Sequence, residues 1–183
     1  MSVAKLSLLY SQERIAAEVS RLAQEINRDY AGREILVVGI LKGSFLFIAD
    51  LVRQLTGPVT IDFMRLASYG SETQSSGIVE LRKDIELPVQ GKDLLIIEDI
   101  VDSGLTLDTL YAKLMLKNPH SLKICTLIEK TCHREGATKP DYVGISMESA
   151  FIVGYGLDFN EQYRQLPDIY LLGLENQGDP LWS

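Results

Sequence analysis

Cysteine, histidine and tryptophan are all scarce in this chain. Two cysteines, two histidines and one tryptophan are spread over 183 residues. Cys125 and Cys132 form no Cys-x-x-Cys pair and are too few for a disulfide scaffold. His120 and His133 alone leave no conventional zinc site. A cationic excess is missing too: 18 Lys plus Arg face 25 Asp plus Glu, a net charge of −7. That sign opposes binding to nucleic acid or to an anionic membrane surface. No apolar run approaches the ~18 residues of a membrane span. The short run Leu6–Tyr10 gives way at once to Ser-Gln-Glu-Arg, so a secretory leader is not expected. Repeats, low-complexity tracts and Pro/Gly/Ser linkers are absent as well. The expectation is a cytoplasmic single domain, residues 1–183, whose 46% apolar content suffices for its own core.

What is present is an alternation of helical and strand patterns. Ile15, Val19, Leu22 and Ile26 recur at helical spacing, which predicts a helix over Ser11–Tyr30 with Gly32 as its stop. Ile35–Ile40 is a continuous apolar run of strand length, the pattern of a strand buried on both faces. A helix over Phe45–Leu55, a strand over Val59–Leu66 and a return strand over Ile78–Arg82 follow, with a long polar loop between the two strands. Leu94–Ile97 reads as another buried strand, Thr106–Lys117 as a helix and Lys123–Ile128 as a strand. This order predicts an α/β fold, a mostly parallel twisted sheet flanked by helices. After Lys139-Pro140 the pattern breaks into fragments (Tyr142–Ile145, Ile152–Val153, Tyr170–Leu172), expected to form a cap or edge.

The segment Leu94-Leu-Ile-Ile-Glu-Asp-Ile-Val-Asp-Ser-Gly-Leu-Thr-Leu107 carries the chemistry. In an open parallel sheet, ligands bind beyond the carboxyl ends of the strands, beside the following helix starts. Here that place holds Glu98, Asp99 and Asp102, then the turn Ser103-Gly104-Leu105-Thr106. Backbone N–H groups at a helix start, with hydroxyls and a glycine, suit a phosphate. The carboxylates would repel that phosphate unless they meet a sugar diol or a hard divalent cation. A ribose phosphate carrying a metal-bound phosphate group satisfies both. The same acids also read as solvated loop residues, or as a helix cap supplied by Asp102. A Walker-type ATPase is excluded, because no Gly-x-x-x-x-Gly-Lys-Ser/Thr occurs.

Ile-Ile-Glu-Asp-Ile-Val-Asp-Ser-Gly-Leu-Thr-Leu resembles the phosphoribosyl pyrophosphate (PRPP) motif of type I phosphoribosyltransferases, in the form similar to the hypoxanthine (hypoxanthine-guanine) branch of bacterial type. Ile-Leu-Lys42-Gly43-Ser, Ser68-Tyr69-Gly70, Lys130, Lys139-Pro-Asp-Tyr-Val-Gly144 and Phe151-Ile-Val-Gly-Tyr-Gly-Leu-Asp158-Phe-Asn-Glu-Gln-Tyr-Arg164 fall in family order. The resemblance covers roughly residues 10 to 174. It implies purine salvage: transfer of the phosphoribosyl group of PRPP to N9 of hypoxanthine, and of guanine, releasing pyrophosphate with Mg2+ as cofactor. It also implies a small C-terminal hood from about residue 140 over the base, and a homodimer or homotetramer. A xanthine-guanine transferase, or a nucleic-acid-binding regulator that keeps the fold, are the competing readings; the charge of −7 speaks against the regulator.

The resemblance also assigns roles. Ser103, Gly104, Leu105 and Thr106 would grip the 5′-phosphate. Glu98 and Asp99 would face the ribose hydroxyls, directly or through magnesium. Asp102 would take the N7 proton of the purine as the new bond forms, since a base losing a proton is the better nucleophile. Lys42 and Gly43 would meet pyrophosphate, with a cis bond before Lys42, and Arg164 would contact it as well. Lys130 is donor-only, suited to the O6 and N7 acceptors of a 6-oxopurine. Phe151 would stack on the base, the Ile152 carbonyl would accept from its pyrimidine edge, and Asp158 would hold a second magnesium near it. Ser68 and Tyr69 would belong to a loop that closes over the reaction and excludes water. Taken singly, Lys42, Asp158 and Arg164 read as surface charges and Phe151 as a core aromatic. Leu105 and Ser103 depart from the lysine and threonine common elsewhere in the family, but the cradle's key donors are backbone. Cys132 and His133 match no role.

Overall fold

The structure, a computed structural model, describes residues 5–68, 79–132 and 135–173. Its elements are β1 (Lys5–Tyr10), α1 (Gln12–Asp29), β2 (Ile35–Leu41), α2 (Phe45–Val52), β3 (Val59–Ser68), β4 (Val79–Lys83), β5 (Asp93–Val101), α3 (Leu105–Met115), β6 (Ser121–Lys130), β7 (Tyr142–Met147), β8 (Ile152–Val153) and β9 (Ile169–Gly173). A six-stranded sheet runs β4-β3-β2-β5-β6-β7. Its strands are parallel except β4, which returns antiparallel along β3. This is the flanked parallel sheet expected from the sequence.

The continuous apolar runs follow from burial on two faces. Val37, Leu95, Ile97 and Leu127 pack with Ile15, Leu22, Phe47 and Leu51 of α1 and α2. Their chain neighbours Leu36, Val38, Leu94 and Ile96 turn to the other face, against Leu107, Leu110 and Leu114 of α3. Because side chains alternate along a strand, covering both faces demands an apolar residue at every position. Helix α1 is capped as its sequence suggests: the Ser11 hydroxyl accepts from the Arg14 N–H at 3.4 Å, and Ile15, Val19, Leu22 and Ile26 are buried.

Three local expectations change. Strand β5 does not stop at Ile97; it runs to Val101, because β6 extends to Lys130 and continues to pair with it as Glu98↔Thr126 and Ile100↔Ile128. Leu6–Tyr10, given no element from sequence, lies in β1, paired antiparallel with β9. The fragments after Pro140 divide: β7 becomes the edge of the large sheet, whereas β8 and β9 join β1 in a second sheet ordered β1-β9-β8. Ile152, Tyr155, Leu157 and Ile169 enter the same core as α1 and α2, so the small sheet is packed onto the main body. No helix among the described residues is long and apolar enough to cross a membrane.

The strand order places the site. From β2 the chain steps outward to β3 and β4, then crosses back to β5 on the other side of β2. Pairing between β2 and β5 ends at Gly39↔Ile97. Beyond it the two chains part, and the crevice so opened is the topological switch point of the sheet.

Candidate active site

The residues that follow β2 and those that end β5 meet in this crevice. The Leu41–Lys42 peptide is cis, as the resemblance implies. Gly43 lies against the Asp99 side chain: a β-carbon built on Gly43 would overlap the Asp99 carboxylate. The space that glycine leaves is therefore taken by Asp99. On its other side Gly43 is met by Gly156, whose φ is +98°, and a β-carbon there would overlap the Gly43 carbonyl oxygen. Thus the loop after β2 is clasped between a strand carboxylate and the loop between β8 and β9.

Glu98 and Asp99 form a buried acidic pair. Asp99 is 8% exposed, and the Glu98 Oε2 atom is buried with no hydrogen-bond partner among the described residues. Burial pushes the Glu98 carboxyl well above the ordinary range, with Asp99 adding to it. Burial likewise raises Asp99, although its contact with Glu98 and backbone N–H groups offset part of that. Such a pair holds a proton readily and gains when a donor or a cation approaches.

Helix α3 begins at Leu105 on Gly104, which has φ +86° and offers no side-chain cap. The reading of Asp102 as helix cap does not hold; its Oδ2 instead accepts from Lys130 Nζ at 2.7 Å. The Ser103 hydroxyl accepts only weakly from the Leu105 N–H ahead of it, at 3.5 Å. A strap unread in the sequence supports this turn. The Ser103 carbonyl accepts from the N–H groups of Glu135 and Gly136, both at 2.9 Å. The Asp108 carboxylate accepts from those of Ala137 (2.9 Å) and Thr138 (2.7 Å). A pocket of about 140 Å3 opens at the turn, lined among others by Glu98, Asp102, Ser103, Gly104 and Thr106.

A second cavity, about 520 Å3, adjoins it and includes Lys42, Gly43, Glu98, Asp99, Asp158 and Arg164 in its wall. Arg164 binds Asp158 at 2.7 Å and also donates to the Gly156 carbonyl at 2.8 Å. Both Asp158 oxygens are engaged, the second by the Glu161 N–H at 2.9 Å. Glu161, unread in the sequence, bonds Lys42 Nζ at 2.8 Å and Arg164 at 3.2 Å. Those two cations hold its carboxyl below the ordinary range. A third cavity, about 490 Å3, is bordered by Lys130 and Phe151 together with Lys5 and Ser7 of β1. Phe151 is 54% exposed, with Phe159 edge-on to it at 5.5 Å, while Ile152 is buried in β8. Ser68 ends β3, and Tyr69 lies outside the described residues, as do the rest of the expected closing loop and His133.

Among the described residues, no three His, Cys, Asp or Glu side chains gather closely enough to enclose a metal ion. The orphaned Glu98 oxygen beside Asp99 fits a hard cation of the magnesium type, which takes one or two carboxylates and completes its shell with water and substrate oxygens.

Comparison with known proteins bears on the same residues. The phosphoribosyl transferase domain model matches residues 6–160. The hypoxanthine-guanine phosphoribosyltransferase of Aquifex aeolicus is 41% identical over 169 residues, 92% of this chain and 95% of its own length. That of Bacillus subtilis is 44% identical over 165 residues, 90% of this chain and 92% of its own. A crystal structure of the Bacillus anthracis hypoxanthine-guanine phosphoribosyltransferase superposes with a TM-score of 0.87 at 44% identity, covering 92% of this chain and 99% of that one. With the domain model spanning most of the sequence and relatives aligned along nearly all of it, the chain belongs to the phosphoribosyl transferase family.

Proposed function

We propose that this enzyme salvages purines: it transfers the phosphoribosyl group of PRPP to N9 of hypoxanthine or guanine, giving the nucleoside monophosphate and pyrophosphate. The observation that carries the reading is the crevice at the end of β5. A helix-start turn suited to phosphate stands there beside a buried acid pair suited to a sugar diol or a cation.

The turn Ser103–Thr106 receives the 5′-phosphate through backbone N–H groups and hydroxyls. Glu98 and Asp99 accept from the ribose hydroxyls and stabilise the positive charge that develops as pyrophosphate departs. Lys42, Gly43 and Arg164 receive the pyrophosphate. Lys130 donates to O6 of the base and so favours a 6-oxopurine over adenine's amino group. Asp102, bound to Lys130, takes the N7 proton as the N9–C1′ bond forms. Phe151 stacks on the base, braced by Phe159, and Ile152 reads its far edge. Glu98, Asp99 and Asp158 are the carboxylates offered to Mg2+, which when bound neutralises phosphate charge. The enzyme works in the cytoplasm as a homodimer or homotetramer.

Steady-state rates with PRPP and each of hypoxanthine, guanine, xanthine and adenine test this reading. Turnover of the first two, with adenine inert, is expected; transfer to adenine alone, or to none, would overturn it.

A further inference from the structure

Glu161 stands between two cations that come from distant parts of the chain. One carboxylate oxygen accepts from Lys42 Nζ at 2.8 Å, across a sequence separation of 119, and the other from Arg164 Nη2 at 3.2 Å. Chemically this is an anion with two oxygens bridging two cations, the pattern a phosphoryl group would make on the same pair. The backbone of Glu161 is fixed: its φ is +61°, and its N–H is bonded to Asp158 at 2.9 Å. Its side chain is 62% exposed and can swing outward without leaving a cavity in the core. Arg65 lines the same space, and among the described residues its side chain has no hydrogen bond or ion pair.

We infer that Glu161 is a positioning residue that occupies Lys42 and Arg164 between turnovers, yields both to the pyrophosphate group of the substrate, and reclaims them as pyrophosphate leaves. The inference rests on the reading of this cavity as the pyrophosphate site. Arg65, open to the cavity, is then the cation that first meets the incoming anion. Competition from Glu161 weakens pyrophosphate binding and hastens its release.

Calorimetric titration of inorganic pyrophosphate with magnesium into the full chain tests this, using wild type, Glu161→Gln and Glu161→Asp, alongside steady-state kinetics. Glu161→Gln is expected to bind pyrophosphate about three- to tenfold more tightly, the range two exposed ion pairs supply. The difference should shrink as added salt screens the charges. The KM for PRPP should fall without a rise in kcat, and Glu161→Asp, shorter but still anionic, should lie between. Unchanged or weaker pyrophosphate binding in both variants, with phosphoribosyl transfer intact in wild type, would overturn the inference alone. Failure of wild type to bind pyrophosphate or to transfer would remove the underlying reading as well.

Discussion

Lys130 Nζ stands 2.7 Å from Asp102 Oδ2, although 28 residues separate them in sequence. The lysine side chain is 13% exposed and the aspartate 55%, so the pair presents its carboxylate outward. On the function proposed above, this contact holds the donor for the 6-oxo group and the acceptor for the N7 proton together on neighbouring strand ends. Asp102→Asn keeps the shape and loses the proton acceptor. Turnover is expected to fall by about 10²–10⁴-fold, the range for a positioned acid–base group. Nucleoside monophosphate binding, followed by titration, should change much less. Near-normal turnover would remove the proton-transfer role.

Lys130→Ala separates base recognition from PRPP recognition. The KM for hypoxanthine should rise by at least about tenfold, matching loss of a charge-assisted hydrogen bond, while the KM for PRPP stays close to wild type. Equal losses for both substrates would contradict a role confined to the base.

Gly43→Ala tests the clasp between Gly43 and Asp99. The added methyl must push the carboxylate aside. Misplacing a site group by about 1 Å can cost ~10²-fold in rate, so kcat/KM for PRPP should fall on that order. The melting temperature should drop modestly, as overpacking costs ~1–3 kcal/mol. A variant with unchanged kinetics would show that the position of Asp99 is not set by Gly43.

The Glu98 carboxyl predicts a pH dependence of stability. Its folded pKa lies well above the ordinary 4.5, so the native state keeps a proton that the unfolded chain releases near that pH. Native binding of more protons means that stability falls as pH rises from 4.5 through the raised value. Glu98→Gln removes that loss. It should melt higher than wild type at neutral pH, lose the advantage in acid, and transfer phosphoribosyl groups poorly. Thermal melts across pH check this. Parallel curves for the two proteins would show that the buried pair does not carry the effect.

Much of this arrangement is legible in the sequence. The span of α1, with its Ser11 cap and its stripe of Ile15, Val19, Leu22 and Ile26, follows from spacing within one turn or two. The two-sided burial of β2 and β5 shows in their unbroken apolar runs. The acids and the turn of residues 98–106 are contiguous, so their chemistry can be read without a fold. Other features are silent because their partners are distant. β1 carries too little alternation to declare itself, and pairing with β9 defines it. The extension of β5 through Glu98 and Asp99 depends on the length of β6. Gly136 and Asp108 matter only because the segment after β6 folds back onto the start of α3.

The amino-acid order by itself determined which long segments coil, which apolar runs extend and which cluster of acids leads into the turn Ser103–Thr106, because those properties arise among near neighbours along the chain. Tertiary structure alone decided that β2 lies beside β5, that Gly43 makes room for Asp99, that Lys130 reaches Asp102 and that Glu161 bridges Lys42 to Arg164. Each of those contacts joins residues brought together only when both faces of the sheet are buried at once, and no local periodicity encodes that closure.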